Sequence, residues 1–347
     1  MKESKLDIRD ISLKELKEFY IEKSFQSFRA LQTWEWIWKH RELNFDKMTN
    51  LSVEHRRALS DHYTTKKIQI IESHISEDRT VKFLFKLNSD KVVEGVLIPQ
   101  GNRLTACISS QAGCSLSCTF CATGQIKLHR NLSPGEIYDQ VFLINQYTLQ
   151  HFEKPITNIV YMGMGEPLLN YNNVLKSINH ITSNFGMGMS PKRITVSTVG
   201  IIKIIKKIAD LGVKFNLAIS LHSANNSSRT KLMDINKTNN LSSLLDALIY
   251  FYQKTNIKPT YEYVLLGGVN DSEEDAKLLI KFCKKNPCKV NLIEYNTVET
   301  APYKKSSEVS TIKFIKILEK NNILVKLRRS RGEDINAACG QLANKKN

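Results

Sequence analysis

The chain has 347 residues, 41% of them apolar and 24% charged. That balance excludes a wholly disordered chain and allows a large core in two domains, or in one domain with an attachment. The 50 Lys and Arg exceed the 34 Asp and Glu by 16, which favours a polyanionic partner, nucleic acid before membrane. No run approaches the roughly 18 apolar residues of a membrane span. The opening Met1-Lys2-Glu3-Ser4-Lys5-Leu6-Asp7 lacks the apolar stretch of a secretory signal, so a cytoplasmic protein is expected. Seven cysteines, three within eight positions, suit a metal or redox site better than a disulfide framework.

Residues 1–63 read as helices. Ser12-Leu13-Lys14-Glu15 has the form of a capping box, with Leu13, Leu16, Phe19 and Tyr20 at helical spacing. A second helix carries Phe28, Leu31, Trp34, Ile37 and Trp38, an aromatic stripe read as a small helical core. Residues 66–99 alternate like strands. The runs Val81 to Leu87 and Val92 to Leu97 flank a turn at Asn88-Ser89-Asp90 and predict a hairpin. From about residue 103, short β-branched runs (104–109, 157–161, 193–197, 214–220, 259–265 and 288–295) alternate with amphipathic runs such as 134–147, 200–210, 240–254 and 272–285. A helix near 306–320 and a strand near 323–328 follow. Such alternation predicts a parallel α/β sheet, open or closed into a barrel. The chain shows no internal repeat, and its polar tail from Ala343 to Asn347 is expected to fray.

The strongest motif is Cys114-Ser115-Leu116-Ser117-Cys118-Thr119-Phe120-Cys121, in the loop after the first strand of this series. Three thiolates so spaced can grip three irons of a [4Fe–4S] cube and leave the fourth iron open; four cysteines are the pattern of plain electron carriers. A structural zinc site is the alternative, with Cys107 as fourth ligand. The C-x3-C-x2-C, with Phe120 before its last cysteine, resembles the radical S-adenosylmethionine (SAM) superfamily.

Active-site groups of parallel barrels gather at the carboxyl ends of strands. Met162-Gly163-Met164-Gly165-Glu166-Pro167 follows one predicted strand. There a close backbone approach at Gly165 beside the Glu166 carboxylate suits a cationic amino group. Ser197, Ser220-Leu221-His222 and Asn296 end others. Each alone reads as a turn or cap residue; their convergence on one rim is the signal. Cys339 lies beyond the last strand, next to the conformationally free Gly340. By residue type it is indistinguishable from Cys283 and Cys288, which read as small buried apolar groups. Three basic clusters, Lys127 with His129 and Arg130, Lys192 with Arg193, and Arg328 with Arg329 and Arg331, flank these motifs. They are candidates for phosphate contact.

Together the blocks Cys107-Ile108-Ser109-Ser110-Gln111, Cys114 to Cys121, Met162 to Asn170, Ser220-Leu221-His222, Asn291-Leu292-Ile293 and Asp334 to Leu342 resemble one family. It is the RlmN-type dual-specificity 23S rRNA and tRNA adenine C2-methyltransferases. The resemblance covers nearly the whole chain and is looser in the N-terminal helices, where Phe28-Arg29-Ala30-Leu31-Gln32 matches best. It implies a partial (β/α)6 barrel over residues 100–347, with a C-terminal extension bearing the methyl carrier. A helical and β-hairpin accessory domain would occupy residues 1–99 and contact RNA. Cys114, Cys118 and Cys121 would hold the cluster. Gly165, Glu166, Ser197, Ser220, Leu221, His222 and Asn296 would contact SAM, although Asn296 lacks the proline that often follows it. Cys339 would carry the methyl group, Cys107 would be its redox partner, and Glu94 would accept the proton.

The chemistry agrees with a carrier. Adenine C2 and the SAM methyl group are both electron-poor, so polar transfer between them is unfavourable and a cofactor must supply a radical route. The resemblance implies two SAM molecules per turnover. One methylates the Cys339 thiolate; the other yields the radical that activates that methyl for addition to C2. Cys107 then releases the product by forming a disulfide, which an external reductant reopens. It further implies an electron donor such as flavodoxin or ferredoxin, no membrane partner and a monomer. The rival readings are a Cfr-type C8 adenine methyltransferase and a noncatalytic iron–sulfur or zinc RNA-binding module.

Overall fold

The computed structural model describes residues 5–343; the tail expected to fray lies outside them from residue 344 onward. Three helices come first, α1 (Leu13–Glu22), α2 (Arg29–Trp38) and α3 (Val53–His62). The capping box at Ser12 and Glu15 forms as expected. Ten strands then make one sheet: β1 (Gln69–Ile75), β2 (Val81–Lys86), β3 (Val92–Gln100), β4 (Arg103–Cys107), β5 (Asn158–Tyr161), β6 (Ile194–Thr198), β7 (Asn216–Ser220), β8 (Thr260–Leu265), β9 (Lys289–Glu294) and β10 (Val325–Arg328). They lie side by side in strict chain order. Strands β1 to β4 pair antiparallel, and β4 to β10 pair parallel.

The parallel strands are joined through α4 (Pro134–Phe152), α5 (Tyr171–Thr182), α6 (Ile202–Asp210), α7 (Asn226–Leu232) with α8 (Leu241–Thr255), α9 (Glu273–Cys283) and α10 (Glu308–Lys320). This is the expected barrel-type α/β core, extended by a seventh parallel strand, β10. The hairpin is part of the same sheet: Val96 of β3 pairs with Cys107 of β4, so the sheet crosses the 99/100 division unbroken.

Burial alternates along the strands. In β5, Ile159 and Tyr161 are buried while Asn158 and Val160 keep some exposure; in β6, Ile194, Val196 and Thr198 are buried while Thr195 and Ser197 are not. The apolar row lies under the helices, and the other row faces the lumen. The sheet curls strongly. Arg328 of β10 reaches the Met162 sulfur just past β5, at 3.8 Å, although four strands separate β10 from β5. Residues 329–343 then strap across the gap, and the Ala343 amide donates to Glu94 Oε2 of β3 at 3.0 Å.

The N-terminal helices dock on the outside of this core through aromatic and charged contacts. Trp38 stacks on His180 of α5 at 3.6 Å and 6°. Burial pushes that histidine down to about 4, so it stacks as the neutral ring. Asp139 of α4 is fully buried between Arg9 (3.0 Å) and Arg41 (2.7 Å). Among the described residues no helix is long and apolar enough to cross a membrane.

Candidate active site

The carboxyl ends of β5 to β10, with the loop that follows β4, surround a cavity of about 170 Å³. Cys114, Cys118, Cys121, Gly165, Glu166, Ser197, Ser220, His222 and Cys339 all line it, so most of the sequence candidates do converge. The three thiols of the motif are half-buried. Burial pushes Cys114 up to about 11 and Cys118 well above the ordinary thiol range, and raises Cys121 despite amides of Gly124 and Thr123 that favour its thiolate. A metal group that binds here must therefore displace protons. Leu116 N already points at Cys114 Sγ, 3.4 Å away. Three thiols of one short loop, two of them facing backbone amides, fit three irons of a [4Fe–4S] cube and leave the fourth iron open.

With Glu262, Glu166 is one of two buried carboxylates in the cavity. Leu168 N and Val199 N each donate to it at 2.9 Å. Burial still pushes it up to about 7, and among the described residues no Lys, Arg or His forms an ion pair with it. Such a group gains most from a cationic ligand, as the amino group of SAM would provide. Gly165 has φ +96°, and a Cβ there would lie 2.4 Å from the Gln111 side chain. The gap lets Gln111 Oε1 accept from Glu166 N at 2.8 Å. His222 has its Nδ1 occupied by Val264 N (3.1 Å) and meets Phe120 edge-on at 4.8 Å. Burial drives it down to about 3, so it serves as a neutral ring.

Other candidates stand elsewhere. Leu221 is fully buried, its amide donates to Glu262 O and its carbonyl accepts from Arg229, so its side chain does not reach the cavity. Asn296 and Cys107 line a second, larger cleft of about 840 Å³. Asn296 Nδ2 donates to Cys339 O at 3.2 Å, which ties it to the loop of that cysteine. Burial, then the neighbouring Cys339, pushes Cys107 up to about 12. Glu94 lines neither cavity; its carboxylate accepts from Ala343 N and lies 3.7 Å from Lys82 Nζ.

Cys121, Met162, Glu262, Arg328 and Cys339 line both cavities and form the partition. Glu262 was absent from the sequence candidates, although a lone acid between Tyr261 and Tyr263 on a buried strand is a legible signal. It accepts from Asn291 (2.8 Å) and pairs with Arg328 (3.2 Å). Arg229 was also missed. It is fully buried and bonded to carbonyls of Val199, Ser220 and Leu221, which clamps the ends of β6 and β7 together.

Two of the three basic clusters need correction. Arg130 is held by Glu136 at 2.6 Å and by Ser89, so it is a structural ion pair. Lys192 and Arg193 stand at the start of β6, the opposite end of that strand from Ser197. Arg328 is bound to Glu262. The third cluster does fall on a cationic surface: Arg328, Arg329 and Arg331 line the large cleft with Arg103, Lys289 and Lys326, against the single acid Glu262.

Residues 108–280 match the model of the radical SAM superfamily, and residues 6–64 match the ribosomal RNA large subunit methyltransferase N-terminal domain. The chain is 50% identical over 345 residues, 99% of its length, to a protein of Christiangramia forsetii described as "Probable dual-specificity RNA methyltransferase RlmN", of which 98% is covered. A protein of the same description from Flavobacterium psychrophilum is 51% identical over 345 residues, 99% of each chain. This chain belongs to the RlmN family. The crystal structure of a radical SAM methyltransferase from Sphaerobacter thermophilus superimposes with a TM-score of 0.90 at 34% identity, covering 97% of this chain and 99% of that one. As a member of the RlmN family, the chain is a radical SAM RNA methyltransferase that uses a [4Fe–4S] cluster and SAM. The RlmN N-terminal match ends at residue 64, just after α3.

Proposed function

We propose that this enzyme methylates C2 of adenine in 23S rRNA and tRNA, with Cys339 as the transient owner of the methyl group. The observation that carries this reading is the position of Cys339 on the partition: it borders the cavity of the cluster motif on one side and the cleft containing Cys107 on the other. Cys114, Cys118 and Cys121 would hold the cluster, and Glu166 would hold the amino group of SAM, with Ser197, Ser220 and His222 around it. Bound there, cluster and SAM would supply the methyl group, the reducing electron and the carbon radical.

The chain's own residues then have defined tasks. The Cys339 thiolate accepts the methyl group, since sulfur is the competent nucleophile at an electron-poor carbon. Its sulfur keeps that carbon within reach of a base flipped into the cleft. Glu94, two residues from the Val96 that pairs with Cys107, is assigned the C2 proton, for which its carboxylate must exchange the Ala343 amide for the base. The Cys107 thiolate attacks the Cys339 sulfur; as the disulfide forms, the bond from that sulfur to the methylene carbon on C2 breaks, and the methylene keeps the electron pair and takes a proton to become the methyl group. A reducing cytoplasm reopens that disulfide, and a flavodoxin or ferredoxin feeds electrons to a monomeric enzyme. The cationic cleft supports RNA entry on that side, and residues 1–99 are assigned to RNA contact beside the catalytic core of residues 100–347.

The test is Cys107→Ala, incubated anaerobically with SAM, reductant and RNA. A covalent protein–RNA adduct should accumulate, and digestion should locate it on Cys339 and on adenine C2. Free methylated RNA released at the wild-type rate would contradict the role of Cys107. Linkage at C8 would contradict the assigned carbon.

A further inference from the structure

Cys339 sits exposed at the tip of a segment that is otherwise tied down, with Ala337, Ala338 and Gln341 buried around it. Two of its anchors belong to the site: Asn296 bonds the Cys339 carbonyl, and Ala122 N donates to Gly340 O at 2.8 Å. A separate set of anchors lies on β2 and on the turn between β1 and β2, none of whose residues lines the cofactor cavity. Ser76 Oγ donates to Asp334 Oδ1 at 2.6 Å, and Glu77 N to Oδ2 at 3.3 Å. In return, Gly332 N donates to Asp78 Oδ2 at 3.2 Å, and Arg331 Nη1 lies 3.7 Å from the same oxygen. Lys82 Nζ reaches Asn336 O at 3.4 Å. Gly332 has φ +65°, and a Cβ there would sit 2.8 Å from Thr80 Cγ2 and 2.9 Å from Ala337 Cβ. Turn and segment are in direct contact, with no room for a side chain between them.

We propose that Ser76, Asp78 and Asp334 are positioning residues for the methyl carrier. The inference rests on the carrier reading of Cys339. Two carboxylates, one on the turn and one on the strap, each accept from the opposite segment and fix the root of the Cys339 loop just after β10. Of the strap, only Cys339 and Gly340 border both cavities. A thiol that must meet two partners in succession gains from a short tether, because each extra degree of freedom lowers the fraction of time spent in reacting geometry. The contacts are partly exposed, so they add little to global stability, and their removal should appear in coupling before it appears in folding.

The experiment compares Asp334→Ala and Asp334→Asn with wild type, each as the cluster-loaded full chain. The readout is methylated RNA formed per 5′-deoxyadenosine released. Asp334→Ala should lower that ratio roughly 3–10-fold while the KM for SAM stays unchanged. Asp334→Asn keeps an oxygen for the Ser76 hydroxyl and should recover most of the ratio. If Asp334→Ala folds poorly, Ser76→Ala removes one hydroxyl and is read the same way. A wild-type ratio in a folded variant overturns the proposal, and so does a fall in SAM cleavage that parallels the fall in methylation. Failure of the carrier reading is seen separately, as wild-type protein whose Cys339 never bears a methyl group.

Discussion

The small cavity at the cluster motif and the large cleft beside it share the partition residues Met162, Glu262, Arg328 and Cys339, yet their electrostatics differ. The small one presents Glu166, a buried carboxylate with no ion pair among the described residues, while its other acid, Glu262, is already paired with Arg328 in the partition. The large one presents Arg103, Lys289, Lys326, Arg329 and Arg331 around an open lumen. A desolvated site can discriminate with one charge, because little screens it. An open cleft must sum many weak, screened contacts. Small-cavity substitutions should therefore act sharply and independently of salt, whereas those in the cleft should act additively and fade as salt rises.

The largest effect is expected at the cluster motif. Cys118→Ala should bring SAM cleavage and RNA methylation down to background, with loss of the iron–sulfur absorbance; retained cleavage would break the assignment. Next comes Glu166→Gln, which removes the buried charge and should weaken SAM binding by roughly 10–100-fold, the worth of a charge-assisted hydrogen bond. The pH dependence has a definite sign. Because burial raises Glu166 to about 7, its ionised form is lost as pH falls below that value, and wild-type SAM affinity should drop there while the variant stays flat. For the ligand-free fold the sign is opposite. A raised carboxyl favours the folded state fully below the ordinary glutamate range, and that contribution is lost as pH rises through about 7.

A smaller effect is expected at the partition. Arg328→Met leaves Glu262 buried with only Asn291 as partner, at a cost on the order of 2 kcal/mol, read as a lower denaturant midpoint. Adding Glu262→Leu should recover part of it. The smallest effects belong to the cleft. Lys326→Glu or Arg103→Glu should weaken RNA binding modestly. The slope of log affinity against log salt should fall by about 0.7 for each phosphate that is no longer neutralised. A slope unchanged in both would remove the cleft as the RNA route.

The regular core was largely legible in the sequence because its strands announce themselves by β-branched runs: the run read at 157–161 forms β5, and that at 259–265 forms β8. Two helices escaped. The entry to α5 lacks a side-chain cap because the amide of Asn170 is committed to the carbonyls of Ser110 and Leu132. The short α7 buries Arg229 where an apolar residue would give the period away. At the site, the cluster motif could be read because its three cysteines fall within eight residues, and Glu166 because it stands in a Gly-rich turn just past a strand. The pairing of Glu262 with Arg328 could not, nor could the seating of Asp334 on Ser76, 258 residues away in the chain. Position also separates the cysteines that sequence left alike. Cys283 and Cys288, joined by a sulfur-to-carbonyl contact of 3.8 Å, stand before the start of β9, whereas Cys107 and Cys339 share the large cleft.

The central claim is that the methyl group resides on Cys339 before RNA receives it. Cluster-loaded enzyme should be given SAM with an isotopically labelled methyl group, then unlabelled SAM together with RNA, and peptides and nucleosides followed by mass spectrometry. The account predicts label first on the peptide containing Cys339, then its disappearance from that peptide in step with its appearance in methyladenosine. Label that reaches the adenine without passing through Cys339 would contradict it.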